Sequence, residues 1–246
     1  MVKVQILRGH NTVYWIPEKY WEQLHIIPDD SDKLDFERDT NKPLVVIPHG
    51  TGDITKPCVI PKIRDCYSLL YADYYLSTTK QEHDSLKAKG KNTYYTGSAF
   101  TDFTTPEKRK PDMLIYVPDH GIPIANAKNK FFHSRKPMTD NDLSYFCTKY
   151  GCRNYITSAL DEDRRLSKYK NIALSNRNTP LEHHLKCKKL YEVAKIVIED
   201  NSGTFGVTAK AHGIEVFPKQ PLDTLADGKC RERIIEALDD ILKKIQ

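Results

Sequence analysis

No apolar run in this chain of 246 residues approaches membrane-spanning length, so no transmembrane helix is expected. The opening stretch, MVKVQILRGHNTVYWIP, lacks the layout of a secretory signal, because charged and polar residues interrupt it early. The expected location is therefore the cytoplasm, or the host cytoplasm for a viral protein. Six cysteines, at 58, 66, 147, 152, 187 and 230, form no CxxC pair. That argues against a zinc site and leaves reduced thiols buried as small apolar groups. No internal repeat of short period occurs. Neither sign of charge dominates: 38 Lys and Arg face 33 Asp and Glu, for a net charge of +5. Such an excess suits an anionic ligand or nucleic acid without requiring either.

What is present is a regular alternation. Hydrophobic residues make up 39% of the chain, enough for a sizeable core. Strands are expected at 3–7, 44–47, 74–77 and 93–95, with helices at 14–24, 63–72 and 79–89. The run LVVI at 44–47 is continuously apolar, as a strand buried on both faces requires. Residues 29–40 are dense in charge and read as a loop. Residues 104–111, TPEKRKP within them, mix proline and charge and read as a linker. A second set follows: strands at 113–117, 153–158, 171–174, 195–199 and 214–217, and helices at 140–150, 179–194 and 205–212. Thr179, Pro180 and Glu182 supply a cap, a first-turn proline and a capping box for one of these helices. The chain closes with an amphipathic helix over 231–245, with Ile234, Ile235, Leu238, Ile241, Leu242 and Ile245 on one stripe. Strands alternating with helices in both halves predict an α/β fold with two parallel sheets.

The stretch KIVIEDNSGTFGVTAKAHGIEVFP, 195–218, organises the functional reading. It reads as strand, small-residue turn, helix, strand. Free backbone N–H groups at the helix start can hold an anion. Ser202, Gly203 and Thr204 let a phosphate approach, and two hydroxyls can add hydrogen bonds. The same residues also serve as ordinary caps and turns. In parallel α/β sheets ligands bind at the carboxyl ends of strands. The polar clusters fall there, at 8–11, 48–53, 96–98, 119–120, 157–158, 175–178 and 200–204, and are expected to face a common cleft.

The order of these motifs resembles the GT-B superfamily of glycosyltransferases. Within it, the resemblance is to the branch of the CDP-glycerol glycerophosphotransferases and the hydrolysing UDP-N-acetylglucosamine 2-epimerases. Three segments carry it: VVIPHGTGDITKP at 45–57, ADYYLSTTKQEHDSLKAKGKNTYYTGSAFT at 72–101, and TPLEHHLKCKKLYEVAKIVIEDNSGTFGVTAKAHGIEVF at 179–217. The resemblance implies two Rossmann-like domains facing a cleft. Residues 1–107 would form the acceptor side. Residues 108–246 would bind the nucleotide-sugar and carry the closing helix, which packs back across the domains. It implies a nucleotide-sugar co-substrate, a UDP-sugar first, and no obligatory cofactor or metal.

By the same resemblance, Ser202, Gly203 and Thr204 hold the donor diphosphate; Arg177 is a candidate to add charge there. His49 acts as the base, with a pKa suited to that task, and Asp53 orients it. His120 is the competing base. Gly50, Thr51, Arg8, His10 and Arg135 are expected contacts to acceptor or donor. The pattern departs at Val207–Thr208, where an acid is usual, at Glu215, where proline is common, and at 95–100, which lack a proline and an arginine. The chain is shorter than most members, an economy shared with phage-type enzymes that glycosylate hydroxymethylated bases. Double-stranded DNA is therefore the candidate macromolecular acceptor. A CDP-alcohol phosphotransferase or sugar-nucleotide epimerase of the same fold, and a non-catalytic nucleotide- or nucleic-acid-binding module, are the alternatives.

Overall fold

The computed structural model describes residues 16–28, 41–47, 72–117, 138–159, 171–173, 180–199 and 204–246. Two units emerge: Met1–Thr105 together with Leu222–Gln246, and Pro106–Pro221. The expected strand at 3–7 and helix at 63–72 lie outside the described residues.

In the first unit, helix α1 (Glu18–Gln23) leads into strand β1 (His25–Pro28), then come β2 (Leu44–Ile47), β3 (Tyr74–Ser77), helix α2 (Lys80–Ala88), β4 (Thr93–Tyr95) and helix α3 (Ala99–Thr104). The described strands pair in parallel in the order β1-β2-β3-β4. Strand β2 explains the layering. Successive side chains of a strand point to opposite faces. Leu44 and Val46 thus join Ala72, Tyr75 and Leu86 on one side, and Val45 and Ile47 join Tyr20, Leu24, Ile26 and Leu76 on the other. Thr79 caps α2, its hydroxyl accepting from the Glu82 N–H at 3.2 Å. Two elements were not expected from the sequence. Strand β1 is four residues long and ends in proline; it is the outermost of the described strands, and its register with β2 runs from His25–Leu44 to Pro28–Ile47. Helix α3 occupies what reads locally as a turn before a linker.

In the second unit, strand β5 (Met113–Val117) is followed by helix α4 (Asp140–Tyr150), β6 (Asn154–Ala159), β7 (Asn171–Ala173), helix α5 (Pro180–Val193), β8 (Ala194–Glu199), helix α6 (Thr204–Ala211) and β9 (Glu215–Phe217). The described strands are all parallel, in the order β7-β6-β5-β8-β9. Leu114, Tyr116, Ile196 and Ile198 pack with Leu143 and Cys147 of α4. Helix α4 starts at a capping box of Thr139 and Asp142 and stops at Gly151, whose φ of 61° is the left-handed conformation a glycine cap supplies.

The closing helix α7 (Cys230–Ile245) belongs by its contacts with the first unit. Its stripe of Ile234, Ala237, Leu238, Ile241 and Leu242 is buried among Tyr20, Leu24, Ile26 and Leu76, and that match of apolar surfaces brings it to the first sheet. Its start is capped from afar. The Asp102 carboxylate on α3 accepts from the N–H groups of Cys230 at 3.1 Å and Arg231 at 2.9 Å. No helix among the described residues is long and apolar enough to cross a membrane.

Candidate functional site

The site is defined by where the second sheet reverses. From β5 the chain steps to β6 and β7 on one side, then crosses to β8 and β9 on the other. Connections leaving β5 and β8 therefore diverge, and in doubly wound sheets ligands bind at that point, beyond the carboxyl ends. Val117 and Glu199, the last residues of these two strands, lie side by side in the register. In sequence, the segment with His120 follows Val117, and Asp200, Asn201, Ser202 and Gly203 follow Glu199. Thr204 then opens α6 and is partly buried. It is the predicted site residue that falls within the described residues. Arg8, His10, His49, Gly50, Thr51, Asp53, His120, Arg135, Arg177, Ser202 and Gly203 lie outside them.

Around the first turn of α6 the packing is tight. Gly206 faces the Glu199 carboxylate so closely that a Cβ there would lie 1.9 Å from Oε2. Tyr191 of α5, fully buried, donates its phenol hydrogen to the Phe205 carbonyl at 3.0 Å and stacks near the Phe205 ring, centroids 4.6 Å apart. Burial first, then the neighbouring Cys187 and Glu199, pushes the Tyr191 phenol well above its ordinary range, so it stays a neutral donor. Val207 and Thr208, where the resemblance places an acid, are wholly buried in α6. At the other end of α6, burial and then the Arg109 charge lower His212 to about 4. Arg109 donates to the Ala194 carbonyl at 2.8 Å and ties the start of β8. Half-buried His212 packs near the Tyr191 ring, as its place before Gly213 implies, and His184 on α5 is fully buried.

Sequence reasoning missed Glu199 and Gly206. The available signal was the glycine itself. A glycine inside a helix costs about 1 kcal/mol against alanine, which points to a close approach by another group.

A different use is made of the carboxyl ends of β3 and β4. The polar cluster at 96–98 is engaged internally. The Thr96 hydroxyl donates to the Ser77 carbonyl at 3.3 Å, Arg233 donates to the Thr96 carbonyl at 2.9 Å, and the Ser98 N–H donates to the Thr224 hydroxyl at 3.3 Å. Thr224 in turn donates to the Thr78 carbonyl at 2.6 Å, and the Asp223 carbonyl accepts from the Lys80 N–H at 2.9 Å. A groove of about 480 Å³ lined by Asn41, Lys42, Asp73, Tyr74, Asn92 and Ile245 opens beside the amino ends of β2, β3 and β4, away from the end where such sheets bind ligands. Among the described residues no group of three His, Cys, Asp or Glu could hold a metal ion. Cys147, Cys152, Cys187 and Cys230 are free thiols, and Cys152 is the one not fully buried.

The class this architecture defines is α/β, with two parallel sheets, the second doubly wound. No family model and no curated protein matches the chain. A solved structure, that of the wall teichoic acid polymerase TagF, is similar at a TM-score of 0.40 and 14% identity, over 85% of this chain. The chain spans 62% of the length of that structure.

Proposed function

We propose that the protein is a glycosyl- or phosphotransferase-type enzyme, and in its specific form a metal-independent glycosyltransferase using a nucleotide-sugar. The observation that carries the reading is the strand order β7-β6-β5-β8-β9, with the Ser202–Gly203–Thr204 sequence leaving β8 at its reversal point. The donor diphosphate is taken by these residues and by the N–H groups at the start of α6, with Arg177 adding charge. Transfer joins the acceptor oxygen to the anomeric carbon and breaks the bond from that carbon to the diphosphate oxygen. The hydroxyl proton goes to His49, oriented by Asp53, and the nucleoside diphosphate leaves as an anion stabilised by the same N–H donors. His120, which follows β5, is the competing base. A net charge of +5 favours an anionic acceptor, and a hydroxymethylated base in double-stranded DNA is the one to assay first.

The test is a thermal-shift panel of UDP, CDP, other nucleoside diphosphates, UDP-sugars and plain DNA. A ligand present at about 100 times its Kd stabilises the native state by about 2.7 kcal/mol, a shift easily read. Stabilisation by UDP or a UDP-sugar is expected. In the turnover assay that follows, His49→Ala should lose activity by about a hundredfold or more while keeping donor binding. A shift with CDP alone would favour alcohol-phosphate transfer. A shift with DNA and no nucleotide would overturn the donor site and leave a binding module.

A further inference from the structure

Strand β8 is apolar through Ile196, Val197 and Ile198, all fully buried, as an interior strand of a parallel sheet requires. Its last residue breaks the pattern without leaving the core, for Glu199 is an acid only 3% exposed. Carboxylates are seldom so buried unless their surroundings are built to receive them. Gly206 supplies part of that fit. A Cβ on residue 206 would meet Glu199 Oε2 at 1.9 Å, Cδ at 2.3 Å and Oε1 at 2.7 Å. Gly206 is the third residue of α6, within the turn whose N–H groups lack intrahelical acceptors and whose dipole favours a negative charge. Tyr191 of α5 closes the same region. It bonds to the Phe205 carbonyl one residue before Gly206, and its titration responds to the Glu199 charge.

We propose that Glu199 is a positioning residue of the donor site: its carboxylate, seated on Gly206, fixes the first turn of α6 and with it Thr204. This rests on the donor-site reading given above. The carboxylate is too enclosed to serve as a ligand group, and beside a diphosphate it would repel rather than bind. Its effect therefore runs through the helix, and ligand affinity depends on the Glu199–Gly206 fit.

Three variants separate this from simple space-filling: Glu199→Ala, Gly206→Ala and the two combined. Each is followed by hydrogen exchange of the 205–208 amides without nucleotide, by titration with UDP, and by melting temperature. Either single change is expected to speed exchange of those amides and weaken UDP binding by about tenfold each, because the N–H groups at the start of α6 must then be ordered at the expense of binding. In the combined variant the alanine methyl replaces part of the lost volume. Its melting temperature should recover toward wild type while amide exchange and UDP affinity remain impaired. Recovery of all three would overturn the proposal, as would wild-type exchange at 205–208 in Glu199→Ala. Should Glu199→Ala not fold, Glu199→Gln keeps the shape without the charge and is read in the same two assays; wild-type exchange there overturns the proposal equally. If the wild-type protein binds no nucleoside diphosphate, the donor-site reading fails, and the exchange data still decide whether Glu199 positions α6.

Discussion

Replacing Leu238 by alanine tests whether the closing helix stabilises the first sheet. Leu238 is fully buried in the middle of α7, in one cluster with Tyr20, Leu24, Ile26, Val45, Ile47 and Leu76. Truncation removes the transfer free energy of the lost carbons and leaves a cavity, since neighbours from four other elements cannot all collapse inward. Leu→Ala changes in such places cost about 2–5 kcal/mol, and we take about 3 kcal/mol here. A total stability of about 5–15 kcal/mol makes that a large fraction. At about 4 °C per kcal/mol for a unit of this size, the melting temperature should fall by about 12 °C. Ile245, on the same stripe but 40% exposed, provides the contrast; its truncation should cost about 1 kcal/mol, since part of its surface stays in water and no enclosed cavity is left. Amide hydrogen exchange locates the damage. The 44–47 and 74–77 amides should lose protection, and those at 114–117 and 196–199 should keep theirs. Loss of protection in the second sheet, or a shift no larger than that of Ile245→Ala, would refute the assignment of α7 to the first unit.

His212 predicts a pH dependence whose sign is fixed by its environment. Burial and Arg109 hold its folded pKa near about 4, while an unfolded histidine takes a proton near about 6.5. The stability it supports is complete above the unfolded value and is lost as pH falls from about 6.5 toward 4. Urea melts across that interval should show a shallower acid limb for His212→Leu, and an unchanged limb would remove His212 as its source. Asp102→Ala removes a cap supplied from 128 positions away in the sequence. With two N–H groups left unmet and an Asp102 side chain only 2% exposed, the cost should be about 2 kcal/mol, read as a lower urea midpoint at unchanged slope.

Local chemistry explains which elements were legible. Strand β2 is readable because burial on both faces demands a continuous apolar run, and LVVI meets it. Helices α2 and α4 are readable because their ends are marked on the spot: Thr79 and Gly90 for one, the residues before Asp140 and Gly151 for the other. Strand β1 and helix α3 are not readable, because neither is self-sufficient. The first is completed by the ladder with Leu44–Ile47, and the second carries the acid that caps α7. Alternation of strands and helices predicts parallel sheets but not their order, which is a long-range property. The reversal between β5 and β8 therefore appears only in the fold, although the Ser202–Gly203–Thr204 segment that follows β8 stands out in the sequence.

The clusters at 96–98 and 200–204 show why composition alone does not separate a binding turn from a structural one. Both combine glycine with hydroxyl residues after a strand, and both precede a short helix. At 96–98 the partners are the chain's own: Thr224 and Arg233 arrive from more than 120 positions away and engage the Ser98 N–H and the Thr96 carbonyl. Gly97, with φ of 77°, packs so close to Cys230 Sγ and Leu225 Cβ that a side chain there would meet both at 2.9 Å. A turn whose polar groups meet the returning chain offers little to a ligand. At the end of β8 the arrangement is different in kind. The glycine of interest lies inside the helix and accommodates an acid from the strand before it, so the fit is between neighbours joined by a short connection. A long-range contact closes the turn at 96–98, whereas the contact at the end of β8 lies between a strand and the helix that follows it, at the reversal point where doubly wound sheets receive their ligands.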